Sequence, residues 1–256
     1  MKIALISDIH GNLPALEAAL DDIYKRRADK IICLGDIVGK GPSTKETIDL
    51  CRTSCDIVIM GNWEDGLCKS SIARERGETD IHPIFTWSID DAGEKRMEYL
   101  QSLPHSTEMH LSGKLIRMFH AHPMNFNRYF SDSPIEQLLE LFGKSESSTE
   151  QRESDIAVYA DIHTAYMQTL RDKMLINTGS VGNPLDITQA SYVIIEGSES
   201  DETATINVQF IRVKYDIDRA IAIAKAKNVP FLDGYISELT TARYFNRSRE
   251  EMKNEK

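Results

Sequence analysis

The sequence predicts an α/β fold in which an open sheet ends in metal-binding turns, and two observations carry that prediction. Five runs rich in β-branched and aliphatic residues (Lys2 to Ser7, Lys30 to Leu34, Asp56 to Met60, Leu115 to Phe119, Ile156 to Ala160) read as buried strands. Each run leads directly into a polar motif: Asp8-Ile9-His10, Gly35-Asp36, Gly61-Asn62, His120 and Asp161-Ile162-His163. Ligands collected at strand ends of an open α/β sheet converge on one crevice. Carboxylates, imidazoles and one amide carbonyl suit Mn, Fe or Zn, and the absence of cysteine from the set argues against a structural zinc.

The elements follow in order. After the first strand, Ala15, Leu16, Ala19, Leu20 and Ile23 recur at helical spacing, with Asn12 as N-cap and Pro14 in the first turn. The second strand runs through a Gly-rich turn into a helix from about Ser43 to Cys51. From Glu64 to Thr107 the pattern is helical, with Trp87, Met97, Tyr99 and Leu100 as core candidates and Pro104 as a stop. Glu108 to Leu111 and Leu115 to His120 form a hairpin about Ser112-Gly113. A short helix spans Pro134 to Phe142, and the polar stretch Gly143 to Asp155 is expected to be a mobile, solvated loop. Strands resume at Ile156, Leu175, Tyr192 and Ile206, the last two a hairpin around the acidic loop Gly197 to Glu202. Helices at Asp216 to Lys227 and about Gly234 to Tyr244, then a fraying charged tail, complete the chain. Residues 1–256 are expected to form one unit, with a helical insertion at about 64–106 and a helical C-terminal segment at about 216–246.

Bulk composition excludes several functions. A hydrophobic share of 41% and a charged share of 27% are those of a globular protein, and no apolar run approaches the roughly 20 residues that span a bilayer. The first strand begins at once, leaving no room for a signal peptide, so a cytoplasmic protein is expected. Cys33, Cys51, Cys55 and Cys68 then read as reduced core or surface thiols. A net charge of -10 without a basic stripe argues against nucleic acid as partner, and an anionic substrate must be attracted locally by metal ions. No oligomeric state follows from the sequence.

Ser7-Asp8-Ile9-His10-Gly11-Asn12, Gly35-Asp36-Ile37-Val38-Gly39, Gly61-Asn62, His120-Ala121-His122-Pro123 and Asn177-Thr178-Gly179-Ser180-Val181-Gly182 together resemble the ordered signature of calcineurin-like metallophosphoesterases. Within them the chain is similar to the small bacterial phosphodiesterase branch, which includes diadenosine tetraphosphatase-like members. The resemblance implies a four-layer αββα sandwich of two mixed sheets flanked by helices. It also implies that Asp8, His10 and His163 hold one metal, that Asn62 and His120 hold the other, and that Asp36 bridges them. A bridging carboxylate can hold two cations about 3.5 to 4 Å apart, so that a metal-bridging hydroxide attacks phosphorus while both ions clamp phosphate oxygens. Singly, Asp8 or Asp36 would read as a helix cap and His120 as a core histidine; in ordered combination they read as ligands. His122 has no fixed ligand role in the family pattern and is at best a pocket residue. The segment Gly179 to Pro184 sets a turn beside the metals, its amides either facing phosphate or serving conformation alone.

Two positions depart from the family pattern. The third motif usually continues with a histidine that protonates the leaving group, but here it reads Gly61-Asn62-Trp63-Glu64. Indole has one N–H donor and no acid function near neutral pH. Trp63 is therefore expected to bind a phosphate oxygen or stack on a base, and substrates with good leaving groups are favoured. Asp161 stands where a histidine usually binds the second metal, and as a carboxylate ligand it would favour the harder Mn and Fe over Zn. The expectation is a mixed Fe/Mn or di-Mn enzyme cleaving phosphodiesters and nucleotide phosphoanhydrides, such as diadenosine polyphosphates and ATP. Arg128, Tyr129 and Phe130 are candidate contacts to base or outer phosphates, with a plain surface role equally weighted. Asn12 joins the substrate-contact candidates. Tyr235 and Tyr244 either close the pocket or, the safer reading, pack a helical core. A scaffold that has lost catalysis and a protein Ser/Thr phosphatase are the competing functions; six intact ligands oppose the first and the missing acid the second.

Overall fold

The computed structural model describes residues 1–145 and 148–245. One sheet, ordered β10-β9-β1-β2-β3, comprises β1 (Lys2–Ile6), β2 (Lys30–Cys33), β3 (Ile57–Val58), β9 (Ala190–Glu196) and β10 (Asn207–Val213). The other, β4-β5-β6-β8-β7, comprises β4 (Ser106–Leu111), β5 (Lys114–Phe119), β6 (Ile156–Tyr159), β7 (Ala165–Leu170) and β8 (Lys173–Thr178). In each sheet the ligand-bearing strands lie side by side and parallel: β1 pairs with β2 and β2 with β3, while β5 pairs with β6. All five therefore point their C-terminal ends the same way within their sheets, which is what gathers the polar motifs.

Alternation along the strands builds the layers. On β1, Ile3 and Leu5 face the other sheet and share a core with Ile116, Met118, Ile156 and Val158, whereas Ala4 and Ile6 face helices. Those helices are α1 (Leu13–Lys25), α2 (Thr44–Ser54), α3 (Asn62–Glu75) and α5 (Glu94–Gln101), which follows α4 (Pro83–Ala92). On the far side, Leu138 of α6 (Ile135–Glu140) with Leu141 and Phe142 covers Phe119, Ala157, Tyr159 and Leu175. The order is helices, sheet, sheet, helix, the four-layer sandwich expected. A further cluster joins Ile84 of α4 to Ala220 and Ala224 of α7 (Ile217–Ala226) and to Tyr235 and Leu239 of α8 (Leu232–Thr241).

Several expectations need correction. The third strand keeps only Ile57 and Val58, because the Met60 amide leaves the sheet to donate to Pro104 O at 2.8 Å. Strand β7 was not foreseen: it is a half-exposed edge strand with no apolar run, held by antiparallel pairing to β8. Trp87 is half-buried. The stretch 143–155 is anchored where it is described. Arg117, wholly buried on β5, donates to Glu108 Oε2 at 2.8 Å and to the carbonyls of Phe142, Gly143 and Arg152, while Glu108 Oε1 accepts from the amides of Thr149 and Glu150. A buried guanidinium needs such partners, and it organises the loop around itself. Glu146 and Ser147, and the tail from 246, lie outside the described residues. All four cysteines are free, and no helix among the described residues is long and apolar enough to cross a membrane.

Candidate metal centre

Asp8 and His10 sit on the turn after β1, Asp36 after β2, Asn62 after β3, His120 after β5, and Asp161 and His163 after β6. The turns interlock: the Asp8 amide donates to Gly35 O at 3.0 Å and the His10 amide to Asp36 O at 2.9 Å. Asp8, His10, Asp36, Asp161 and His163 all have left-handed backbone, with φ between 47° and 67°. That conformation costs an L-residue about 1–2 kcal/mol outside Gly, Asn and Asp, and it recurs at functional sites. The two Asp-Ile-His triplets thus share one local geometry that aims a carboxylate and an imidazole inward.

The side chains are held by one atom each and present the other. His10 Nδ1 donates to Val38 O at 3.1 Å, His120 Nδ1 to Leu34 O at 2.7 Å and His163 Nδ1 to Asn183 O at 2.6 Å. A carbonyl only accepts, so Nδ1 carries a proton in each ring and Nε2 is the atom presented inward, as in metal-binding histidines. Ser7 Oγ donates to Asp8 Oδ2 at 2.7 Å, and the Trp63 amide donates to Asp36 Oδ1 at 2.8 Å. Asp8 Oδ1 and Asp36 Oδ2 remain. The first is buried without a hydrogen-bond partner; the second lies 3.3 Å from His120 Nε2 and 3.6 Å from His10 Nε2. His10 Nε2 and His163 Nε2 are only 3.1 Å apart. Burial pushes both rings well below the usual histidine range, so two bare lone pairs face one another. They repel unless a cation lies between them, and an orphaned carboxylate oxygen beside them supplies the charge it needs. Among the described residues two groups meet the spacing of a metal site, Asp8 with His10 and His163, and Asp8 with Asp36 and His120. Asn62 Oδ1 is 2.9 Å from His120 Nε2.

The electrostatics of the metal-free site make a testable prediction. Burial, with Asp36 adding to it against the charge of His120, raises the Asp8 carboxyl from 3.8 to about 8. Burial and the charge of Asp36 raise Glu64 from 4.5 to about 7 against its amide donors. Burial opposes the charge on His120, but Asp36, Asp8 and Asp161 lift it well above 6.5. Above pH 6.5 all three hold protons in the native state that the unfolded chain has released, so their stabilisation fades as pH rises toward 8. His10 and His163 are neutral in the native state and shed only the last of their unfolded-state protons over this range, so they oppose the trend weakly. The melting temperature of chelator-treated protein is therefore expected to fall from pH 6.5 to 8. Added Mn²⁺ should restore it most at pH 8, where ligation displaces fewer protons. Thermal melts at the two pH values check this, and a flat metal-free profile would contradict it.

Residues 1–200 match the calcineurin-like phosphoesterase superfamily domain. The chain belongs to that superfamily. It is 35% identical over 228 residues to an uncharacterized protein of Methanocaldococcus jannaschii, covering 85% of this chain and 89% of the relative. Among solved structures it is similar to a metallophosphoesterase from Sphaerobacter thermophilus, with a TM-score of 0.72 at 24% identity over 94% of this chain and 100% of that one. It is also similar to a hypothetical protein from Pyrococcus horikoshii, with a TM-score of 0.74 at 19% identity over 96% and 99%. At such identities the structures speak to fold alone. The superfamily and the Asp/His groups together make this a metal-dependent phosphoesterase with a site for divalent cations.

Against this phosphoesterase frame, the predicted substrate contacts fare unevenly. Trp63 borders the site: its half-buried ring stands edge-on to His10 at 5.4 Å and to Phe85 at 5.5 Å. It packs against Gly39, where a Cβ would come within 2.0 Å of Cε3. Asn12 is not free for substrate: wholly buried, it accepts from the Ala15 amide as the helix cap, and its Nδ2 donates to Gly182 O at 2.7 Å. Tyr129 is also turned away, its hydroxyl on Glu140 and its ring stacked on His122. Phe130 is 50% exposed. Tyr235 is core and Tyr244 is exposed. The amides of Val181 and Gly182 donate to Ser7 O and Asp8 O, so these two amides of the 179–184 turn brace the first motif and are not free for a phosphate. A Cβ at Gly182 would lie 1.7 Å from Ile9 O, which explains that glycine.

Sequence reasoning missed Glu64. Wholly buried, its carboxylate accepts from the amides of Asp36 (2.7 Å), Ile37 (2.8 Å), Val38 (3.1 Å) and Gly61 (2.8 Å), tying two ligand turns together. The signal was present as a glutamate three residues into a helix whose cap is Gly61, the position from which a side chain reaches back. Arg128 and Asp161 pair with each other.

Proposed function

We propose that this phosphoesterase hydrolyses phosphodiesters and nucleotide phosphoanhydrides, with diadenosine polyphosphates and ATP as the favoured class and protein phosphomonoesters disfavoured. The observation that carries the reading is that none of Trp63, Arg128 and Lys40, the side chains beside the ligand set among the described residues, is free to act as the leaving-group acid. Trp63 has no acid function, and Arg128 is paired with Asp161 and remains charged. The Lys40 ammonium is committed to Asn183 Oδ1 at 2.6 Å and Glu238 Oε2 at 3.0 Å. A serine alkoxide leaves slowly without protonation, whereas a nucleotide phosphate or nitrophenolate is already a good leaving group. When bound, two divalent ions supply a water of lowered pKa and a clamp for phosphate oxygens. Asp8, His10 and His163 would hold one ion, Asn62 and His120 the other, with Asp36 between them. Three oxygen donors beside three imidazoles make Mn and Fe the proposed ions, and metal analysis returning zinc alone would reject that choice.

With Mn²⁺ present, turnover of bis(p-nitrophenyl) phosphate and diadenosine tetraphosphate is expected to exceed that of phosphoserine peptides; the reverse order would overturn the reading. Trp63 is proposed to contact the substrate's phosphate chain or base. Trp63→Ala should therefore lower dinucleotide hydrolysis while sparing the nitrophenyl diester. Equal rates on both substrates before and after the change would remove Trp63 from the account.

A further inference from the structure

Asp161 is not placed as a metal ligand would be. Both its oxygens are taken by one guanidinium: Arg128 Nε donates to Oδ2 at 2.8 Å and Nη2 to Oδ1 at 2.8 Å. Its Oδ1 is 4.0 Å from His120 Nε2, and it belongs to neither group of side chains with metal-site spacing. The Asp161 side chain is 3% exposed and that of Arg128 is 49% exposed, so the pair runs from the floor of the crevice to its mouth. Arg128 Nη1 makes no hydrogen bond among the described residues, which leaves one face of the fork open.

The charge arithmetic changes accordingly. Asp161 alone would have lowered the positive charge of the site by one. Paired with Arg128 it is neutral, as a histidine there would be, and a permanent cation now stands beside the ligand set. A guanidinium suits phosphate oxygens because it is planar, always charged and able to donate two parallel hydrogen bonds. Asp161 also has the left-handed backbone shared by the metal-site aspartates, with φ 67°, so the geometry that elsewhere aims a ligand here aims a salt-bridge partner.

We propose that Asp161 is a positioning residue that presents Arg128 to a non-bridging oxygen of the substrate's phosphoryl group, in place of ligating the second metal. The proposal rests on the phosphoesterase reading of the site. Its test uses the full chain loaded with Mn²⁺, comparing wild type with Asp161→Asn, Arg128→Ala and Arg128→Lys. Asparagine tolerates the left-handed backbone at 161, so the fold should survive. Calorimetry should give both Asp161→Asn and Arg128→Ala the wild-type Mn²⁺ stoichiometry and affinity, while inorganic phosphate binds each roughly 10-fold more weakly. Arg128→Lys should recover part of that loss, and KM for bis(p-nitrophenyl) phosphate should rise more than kcat falls. Loss of Mn²⁺ affinity in Asp161→Asn by roughly 10- to 100-fold would make Asp161 a ligand or its direct support and overturn the proposal. Undiminished phosphate binding by Arg128→Ala would overturn it too. Should the wild-type enzyme bind Mn²⁺ but not hydrolyse the diester, the phosphoesterase reading fails, while the Mn²⁺ and phosphate titrations still decide the role of Asp161.

Discussion

Asp36→Asn is expected to lower Mn²⁺-dependent hydrolysis of bis(p-nitrophenyl) phosphate by roughly 1000-fold. The argument is local. Asp36 Oδ1 is fixed by the Trp63 amide at 2.8 Å, while Oδ2 stands 3.3 Å from His120 Nε2 and 3.6 Å from His10 Nε2, one nitrogen from each ligand group. Asparagine keeps the left-handed backbone and can still accept from Trp63, so what is lost is the charge and the inward oxygen between the two groups, which an NH2 cannot replace as a ligand. An ion acting on a phosphoryl group contributes several kcal/mol, and each 1.36 kcal/mol is tenfold in rate. Activity within tenfold of wild type, at saturating Mn²⁺ and with an unchanged melting temperature, would show that Asp36 is no bridge.

Glu64→Ala should be the most destabilising change near the site. The substitution strands four buried amides, those of Asp36, Ile37, Val38 and Gly61, at an expected cost of about 3–5 kcal/mol. For a chain of this size that lowers the melting temperature by roughly 10 °C. Because two ligand turns lose their common anchor, Mn²⁺ affinity should also fall by roughly 10- to 100-fold. Melts and Mn²⁺ calorimetry separate the two effects. A variant of ordinary stability that binds Mn²⁺ as tightly as wild type would mean the turns are held by their own backbone hydrogen bonds.

Much of this arrangement was legible because strand and ligand signals coincide. A run such as Lys30 to Leu34 followed by Gly35-Asp36 announces both the strand and the residue at its end, and parallel pairing then does the gathering. Edge strand β7 gave no such signal, since its pairing with β8 and not its apolar content holds it. Arg117 could have been flagged as the one charge in the apolar run Leu115 to Phe119, but its loop carbonyl partners lie 25 to 35 residues away and are invisible to any local pattern. Asp161 was read by its place in a motif, and the residue that neutralises it comes from the loop after His120, 33 positions earlier. Asn12 and Tyr129 show the opposite error: polar groups near a site in sequence that are spent on a helix cap and on Glu140. Proximity to a motif does not reveal which hydrogen bonds are already made.

The central claim is that the facing lone pairs of His10 and His163 and the unpaired Asp8 oxygen exist to hold cations that drive phosphoester hydrolysis. Titrating Mn²⁺ into chelator-treated wild-type protein, with heat and nitrophenolate release from bis(p-nitrophenyl) phosphate followed together, tests it most directly. Two Mn²⁺ per chain, with hydrolysis rising as they bind, is the predicted result. Absence of specific Mn²⁺ binding, or binding without any turnover of the diester, would contradict it.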